Sequence, residues 1–509
     1  MTNRNIFVKI YNILFGTAVG IILLLAVYYH INIYIFNASN GFVIDECCLV
    51  TNSLLPWYKL FQFLPNLQCT PPVFSLITKI IVNTFQLNEQ YFRLFPLVIT
   101  LLSIVLFTIL EFKILKNRFG IIFALILFVT NYSLFEYTFF YKQYATDIML
   151  SIILLIFAIK IKNKEYSCKN AFLLGIATCF ISLISYTADI VIAGIFLAKI
   201  LYDKYTNNKV KIKSYICYSL PVFCYLIYLV IFVIIPLKME GFFYDYWFSD
   251  TYAVETLTIQ TYSNTIWQNV ADVLMTSYPI NCNLFILGAL LLGALVIFYK
   301  TDRFLFYFYI TLIPVIILLA LLKIYPITPQ RVILYLCPLF YILMSKMFDI
   351  TFYRKKILSL IVFVLFSFLI NYNDLYNSFM TKMKNPQCGE GSPAKYYYKL
   401  LKHSDFKPTD YICWYIPLEI RLYNFNNTLK IKNANEQIIH QDMLKDIPKG
   451  KNIFLYLSDE YYGDYYREYA SMKKFIDNEC EIQYSIFDDT GSYTGHFIKC
   501  KKITESNKE

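Results

Sequence analysis

Asp45 and Glu46 stand side by side a few residues after the first long apolar run of a 509-residue chain. Adjacent carboxylates beside a membrane are costly unless they face water, a metal ion or a substrate. Such a pair can take a proton from a hydroxyl or help hold a divalent cation, and it can equally be a solvated loop charge. Asp147 lies near the start of a later apolar run, with Gln143 and Tyr144 on the same helix face at i−4 and i−3. An unpaired carboxylate at the hydrocarbon centre costs about 3 kcal/mol on insertion scales, less near the interface. Lys142 and Arg331 stand at the ends of apolar runs. Arginine grips an oxyanion with a planar fork and lysine acts on it as a point charge, but long cations also snorkel there for no functional reason. Arg93 opens the second apolar run, either holding the acidic pair through its charge or anchoring to lipid headgroups.

The elements that must position these groups are membrane helices. The chain is 58% hydrophobic and only 16% charged, where a soluble protein carries about a quarter charged residues. Long apolar runs recur from residue 11 to about residue 371, which predicts an α-helical integral membrane protein with about 11 transmembrane helices. The spans fall near 11–35, 93–111, 119–135, 144–161, 171–186, 188–202, 214–236, 283–299, 303–322, 331–349 and 356–372. The pair around residue 186 is short for a hydrocarbon core of about 30 Å, so it is either two spans or a re-entrant pair. No cleavage site of the signal-peptide kind follows the basic start, so the first run is a true span. Lysines and arginines cluster in every second connection, among them Lys113, Lys116, Lys160–Lys169, Lys204–Lys213, Lys300 and Arg303. With the N-terminus cytoplasmic, all of these lie inside. The first outer loop, about 36–92, then carries the acidic pair, and a second long outer loop covers about 237–282. The net charge of +11 resides between spans and does not point to nucleic acid.

Residues 1–372 therefore read as a transmembrane domain and 373–509 as an extracytoplasmic one. In the opening loop, Pro71-Pro72 starts VFSLITKIIVNTF, a helix lying in the interface or packing normally, with Val73, Ile77, Ile80 and Thr84 on one face. In the second domain, DYICWYI, NIFLYLS, CEIQYSIFDD and HFIKCKK read as strands, and AKYYYKLLKHS and EYYGDYYREYASMKKFI as helices. This alternation predicts a small α/β domain. Cys168, Cys179, Cys217, Cys224 and Cys337 lie in or near spans and read as small apolar fillers. Cys388, Cys413, Cys480 and Cys500 are open to three pairings in an oxidising compartment, and a Cys48–Cys69 link would tie the first loop together.

Several motifs in order resemble a known superfamily. Asp45-Glu46 after span one is followed by Gln68–Pro72 (Q-x-x-P-P) and Arg93–Pro96 (R-L-x-P). Then come Tyr141–Asp147 (YKQYATD), Ser185-Tyr186, Tyr246-Trp247 and Tyr325–Arg331 (YPITPQR). The set resembles GT-C glycosyltransferases that use lipid-phosphate-linked sugars, in particular the protein O-mannosyltransferase and aminoarabinose-transferase branch with its bacterial relatives. The resemblance spans about residues 10–350. Phe140 stands where members often carry Glu, and the Cys47-Cys48 pair is foreign to the pattern.

The resemblance implies a polyprenyl-phosphate-linked sugar as donor and a lipid, glycan or protein acceptor, at a bacterial inner membrane. It places Asp45 as the base that deprotonates the acceptor hydroxyl, with direct displacement inverting the anomeric carbon. Glu46 orients the acceptor or, with Asp45, helps bind a divalent cation. One carboxylate suffices, because a phosphate ester leaves readily once cations neutralise it. Lys142 and Arg331 are the candidates for that phosphate. Arg93, Gln143, Tyr144, Asp147 and Trp247 are candidates to line the cavity and position substrate, Trp247 by stacking on a sugar ring or as part of the interfacial aromatic belt.

Other classes find little support. No GxxxxGK[ST] loop, no D-x-D and no histidine pair with zinc spacing occurs, and Gly389–Ala394 lacks a preceding strand. A transporter or flippase of lipid-linked sugars predicts inverted repeats and broken spans at matching positions, of which no pair is visible. A non-catalytic assembly protein predicts that Asp45 is dispensable.

Overall fold

The computed structural model describes residues 2–38, 42, 44–64, 69–131, 134, 140–206, 212–239, 284–322, 324–325, 331–352, 393–413, 437–439, 446–458, 475, 478–489 and 494–503. Two compact units divide the chain. The first comprises Met1–Ala38, Asn52–Phe85 and Gln90–Cys388, and the second Ser39–Thr51, Gln86–Glu89 and Gly389–Glu509.

The first unit is helical. Its elements are α1 (Thr2–Asn37), then α2 (Ile44–Ser53), whose last residues join it, α3 (Pro72–Phe85), α4 (Glu89–Ile114), α5 (Arg118–Thr130) and α6 (Tyr144–Ile161). They continue with α7 (Cys168–Ile184), α8 (Thr187–Tyr205), α9 (Ile212–Leu229), α10 (Leu284–Thr301), α11 (Arg303–Leu321), α12 (Cys337–Ser345) and α13 (Met347–Phe352). Among the described residues, five segments are long and apolar enough to cross a membrane: Lys9–Ile35, Glu89–Ile114, Tyr144–Ile161, Ile212–Met239 and Arg303–Leu321. Arg118–Thr130, Cys168–Ile184 and Leu287–Thr301 are shorter apolar helices. Each of the first nine expected spans coincides with a helix. The tenth is a 3-10 turn (Arg331–Leu336) followed by α12, and the eleventh, 356–372, lies outside the described residues. The ambiguous pair near residue 186 resolves into two separate helices, α7 and α8, broken at Ser185-Tyr186.

Polar caps mark the helix starts. Asn117, Ser167 and Asp302 accept from the first-turn amides of α5, α7 and α11. All three stand in lysine-rich connections, and the structure gathers these connections at one end of the bundle. Lys162 pairs with Asp302 at 2.7 Å, Tyr202 donates to Asn163 at 3.0 Å, and Arg303 lies 4.4 Å from the centre of the Tyr205 ring. Lys346, 2% exposed, donates to Asp349 at 2.6 Å and to Ile114 O at 3.1 Å. Asp349 also accepts from Asn117 N at 2.9 Å, closing a buried lock between the α4–α5 link and the end of α12. The apolar core inside the bundle draws on α1, α4, α5, α6, α8, α10, α11 and α12, with Phe107, Phe123, Phe308, Tyr309 and Tyr341 fully buried.

The α7–α9 contact departs from expectation. Cys168 and Cys217 are a disulfide with Cα atoms 5.5 Å apart, rather than apolar fillers. The helices approach this closely because Gly175 has no Cβ. One added there would meet Tyr218 O at 2.4 Å and Pro221 Cγ at 2.6 Å. Among the described residues, Cys48, Cys69, Cys413, Cys480 and Cys500 remain thiols. In α3 the buried side is Phe74, Ser75, Thr78 and Val82, while Ile80 of the expected apolar face is 63% exposed.

The second unit holds α14 (Pro393–His403) and a five-stranded sheet: β1 (Tyr411–Cys413), β2 (Ile438–Ile439), β3 (Asn452–Ser458), β4 (Cys480–Asp489) and β5 (Thr494–Lys502). The strand order is β2-β1-β3-β5-β4; the first three are parallel, and β5 runs antiparallel between β3 and β4. Ile453, Leu455, Ile498, Cys413, Cys480 and Cys500 form its core. The helix expected over 460–476 lies outside the described residues, apart from Phe475.

Candidate functional site

The acidic pair occupies a helix rather than a loop. Asp45 and Glu46 form the first turn of α2, where amides without intrahelical partners favour negative charge. Asp45 is half-buried, and Glu46 is completely buried, as are Cys47, Leu49 and Val50 after it. At the other end of the helix, Lys79 of α3 donates to Ser53 O at 3.0 Å, a carbonyl that α2 leaves open, and to Leu55 O just beyond it at 2.8 Å. Among the described residues no group of three His, Cys, Asp or Glu converges.

The cations are set by an aromatic clamp. Tyr141 is fully buried; its ring meets Phe92 at 4.9 Å, Phe74 at 5.7 Å and Phe95 at 6.1 Å, and its hydroxyl donates to Thr78 at 3.1 Å. α3, α4 and the start of α6 are thus held together at one side chain. Arg93 follows Phe92 and Lys142 follows Tyr141; both are buried, at 2% and 6% exposure. Lys142 N closes a tight turn on Phe140 O at 2.8 Å.

Asp147, one turn into α6, anchors a polar cluster inside the bundle. Ser185, in the break between α7 and α8, donates to it at 2.5 Å, and Ser185 and Thr187 hydroxyls lie 2.9 Å apart. The break exists because Ser185 is extended and turns its side chain back to cap α8, accepting from Ala188 N at 3.3 Å. Tyr335, from the 3-10 turn that Arg331 begins, and Tyr325 lie near Asp147, and their rings pair edge-on at 6.3 Å. Buried polar atoms here retain unused hydrogen-bonding capacity: Gln143 Oε1, Thr146 Oγ1 and the Tyr335 hydroxyl have no partner among the described residues. A cluster of this kind suits a ligand rich in hydroxyls. The thiol of Cys69, just before the Pro71-Pro72 break, lies beside Tyr186, Tyr228 and Tyr325, and burial pushes it up to about 12. Farther along α8, Tyr225 donates to Asp189 at 2.9 Å.

The structure thus brings Gln143, Tyr144 and Asp147 into one turn with Lys142 immediately before it. Only the backbone of Arg331 is described, and Trp247 lies outside the described residues. Sequence reasoning quoted Ser185 and Tyr325 without giving them a role. Thr187 and Tyr335 carry no local signal, because each acquires its partner through the fold.

A bundle of membrane helices with a small mixed sheet near the C-terminus is a fold known from solved structures. Two solved structures share it along their length. The crystal structure of ArnT from Cupriavidus metallidurans bound to undecaprenyl phosphate matches with a TM-score of 0.50 and 12% identity, covering 96% of this chain and 98% of that one. The same protein in the apo state matches with a TM-score of 0.51, 10% identity and the same coverages. At these identities the likeness is one of fold. No family profile matches the sequence, and no curated protein does.

Proposed function

We propose that the protein transfers a sugar from a polyprenyl-phosphate carrier to an acceptor hydroxyl at the outer face of the membrane, with the N-terminus cytoplasmic. The carrying observation is the end-to-end likeness to a protein crystallised with undecaprenyl phosphate. The hydroxyl-rich cluster around Asp147 supports the same reading. In this scheme the acceptor oxygen attacks the anomeric carbon as its proton passes to the Asp45 carboxylate. The bond from that carbon to the phosphate oxygen breaks, and polyprenyl phosphate leaves. Displacement from the opposite face inverts the anomeric carbon. Asp45, the more exposed of the acidic pair, contacts the acceptor, while buried Glu46 holds the turn. Lys142 and Arg331 neutralise the departing phosphate, the step that makes it a good leaving group. Gln143, Tyr144, Asp147 and Trp247 position the sugar, and Arg93 sets the local charge.

Mass spectrometry of polyprenyl-phosphate lipids tests this in cells lacking the protein. The expected result is a polyprenyl-phospho-sugar that accumulates and disappears when the wild-type chain is restored. An unchanged lipid profile would sink the proposal.

A further inference from the structure

A cavity lies at the lysine-rich end of the bundle. The described residues enclose a cavity of about 120 Å³ between α6, α7, α8 and α9, roughly ten times what one buried water needs. Its wall is apolar, built from residues such as Leu154, Phe157, Leu174, Ile192, Ile195 and Phe196. Its floor is the Thr178–Tyr218 hydroxyl pair at 3.2 Å. Thr178 is ten residues into α7, so the cavity reaches about 15 Å in from the helix start. That depth is half of a hydrocarbon core of about 30 Å, the length of one leaflet's acyl chain.

The mouth is polar, with Lys164, Glu165, Lys199 and Asp203 in the lining and Lys213 next to the lining residue Ser214. Lys199 pairs with Asp203 at 2.6 Å, and Tyr215 donates to the same carboxylate at 2.7 Å, so that acid is neutralised. Ser214 donates to Tyr166 O at 2.7 Å and holds the α6–α7 link against α9. Glu165 is the other carboxylate among the lining residues, and Lys164 stands beside it, exposed. Among the described residues, 160–169, 199–206 and 212–213 carry seven lysines against two acids. An anionic headgroup fits this surface, since each nearby lysine contributes about 1 kcal/mol toward an anionic lipid. The α6 lining residue nearest Asp147 is Leu154, seven residues and about 10 Å along the axis, and neither Asp147 nor its partners Ser185 and Thr187 line the cavity, so this is not the site described above.

We infer that the cavity binds one anionic membrane phospholipid, with an acyl chain between α6, α7, α8 and α9 and its phosphate at Lys164 and Lys213. Native mass spectrometry of the full-length protein, washed in detergent and offered phosphatidylglycerol or phosphatidylcholine with identical chains, tests this. Wild type should retain one phosphatidylglycerol at about tenfold higher occupancy than phosphatidylcholine. Leu174→Trp, which fills the cavity, should lose it. The double change Lys164→Glu/Lys213→Glu should abolish the headgroup preference, and Lys113→Glu, an exposed lysine at the same end, should change nothing. Free glycerophosphate should not displace the lipid. Retention by Leu174→Trp, equal retention of the two lipids by wild type, or displacement by glycerophosphate would each overturn the inference. If Leu174→Trp does not fold, Ile195→Phe fills the same space, and the lysine pair still decides the headgroup claim.

Discussion

Neighbouring carboxylates take different roles according to exposure. Asp45 is half-buried and Glu46 wholly buried in the first turn of α2, and the proposed mechanism gives proton transfer to the more exposed of the two. Asp45→Asn should lower sugar transfer by about 10²- to 10⁴-fold without altering thermal stability. Glu46→Ala should instead destabilise the fold by about 1–3 kcal/mol, read as a fall in melting temperature, because it strips a fully buried polar group from its surroundings. At Cys69, burial raises the thiol to about 12, above an unfolded value of about 8.5. A raised value keeps the proton on the native state, so stability from this group is complete below about pH 8.5 and declines as pH climbs toward 12. Alkylation of Cys69 in the folded protein should therefore stay slow to about pH 10, while the urea-unfolded chain reacts from about pH 8.5; equal rates would refute the assignment. The acidic pair and YKQYATD were legible because charges beside apolar runs stand out. Tyr335, an aromatic among many, was not, since only the approach of the Arg331–Leu336 turn to Asp147 gives it meaning.

Helix pairs at the lysine-rich end are held by contacts that hydropathy does not encode. Lys346 counts in sequence as one more inward-facing positive charge, yet it is buried with Asp349 and closes the α4–α5 link. Asp349→Ala should cost about 3–5 kcal/mol, since it leaves a buried lysine without its counter-ion, and Lys346→Met/Asp349→Leu should recover most of that loss. Thermal unfolding in detergent distinguishes the two. Gly175→Val should push α7 and α9 apart and cost at least 1–3 kcal/mol, with a parallel loss of the Cys168–Cys217 disulfide on non-reducing peptide maps. The helices were legible from apolar runs. Two features were not. α2 is too short and mixed to show a period, and the disulfide depends on a glycine forty-two residues before Cys217 that lets two helices touch.

At the scale of the molecule, the class of protein was legible because membrane helices announce themselves by length and apolarity, and the strands of the small sheet, except the two-residue β2, by β-branched and aromatic runs. The sheet's order was not, since β5 inserts between β3 and β4, a choice made by the whole domain. In the proposed mechanism Asp45 takes the acceptor proton while Lys142 and Arg331 neutralise the phosphate leaving group. The most direct test incubates the purified full-length protein in proteoliposomes with the polyprenyl-phosphate lipids extracted from cells that lack it, and measures release of free polyprenyl phosphate. The account predicts release by wild type, and at least a hundredfold slower release by Asp45→Asn at unchanged melting temperature. No release by wild type would contradict the transferase reading, and full release by Asp45→Asn would contradict the base at its centre.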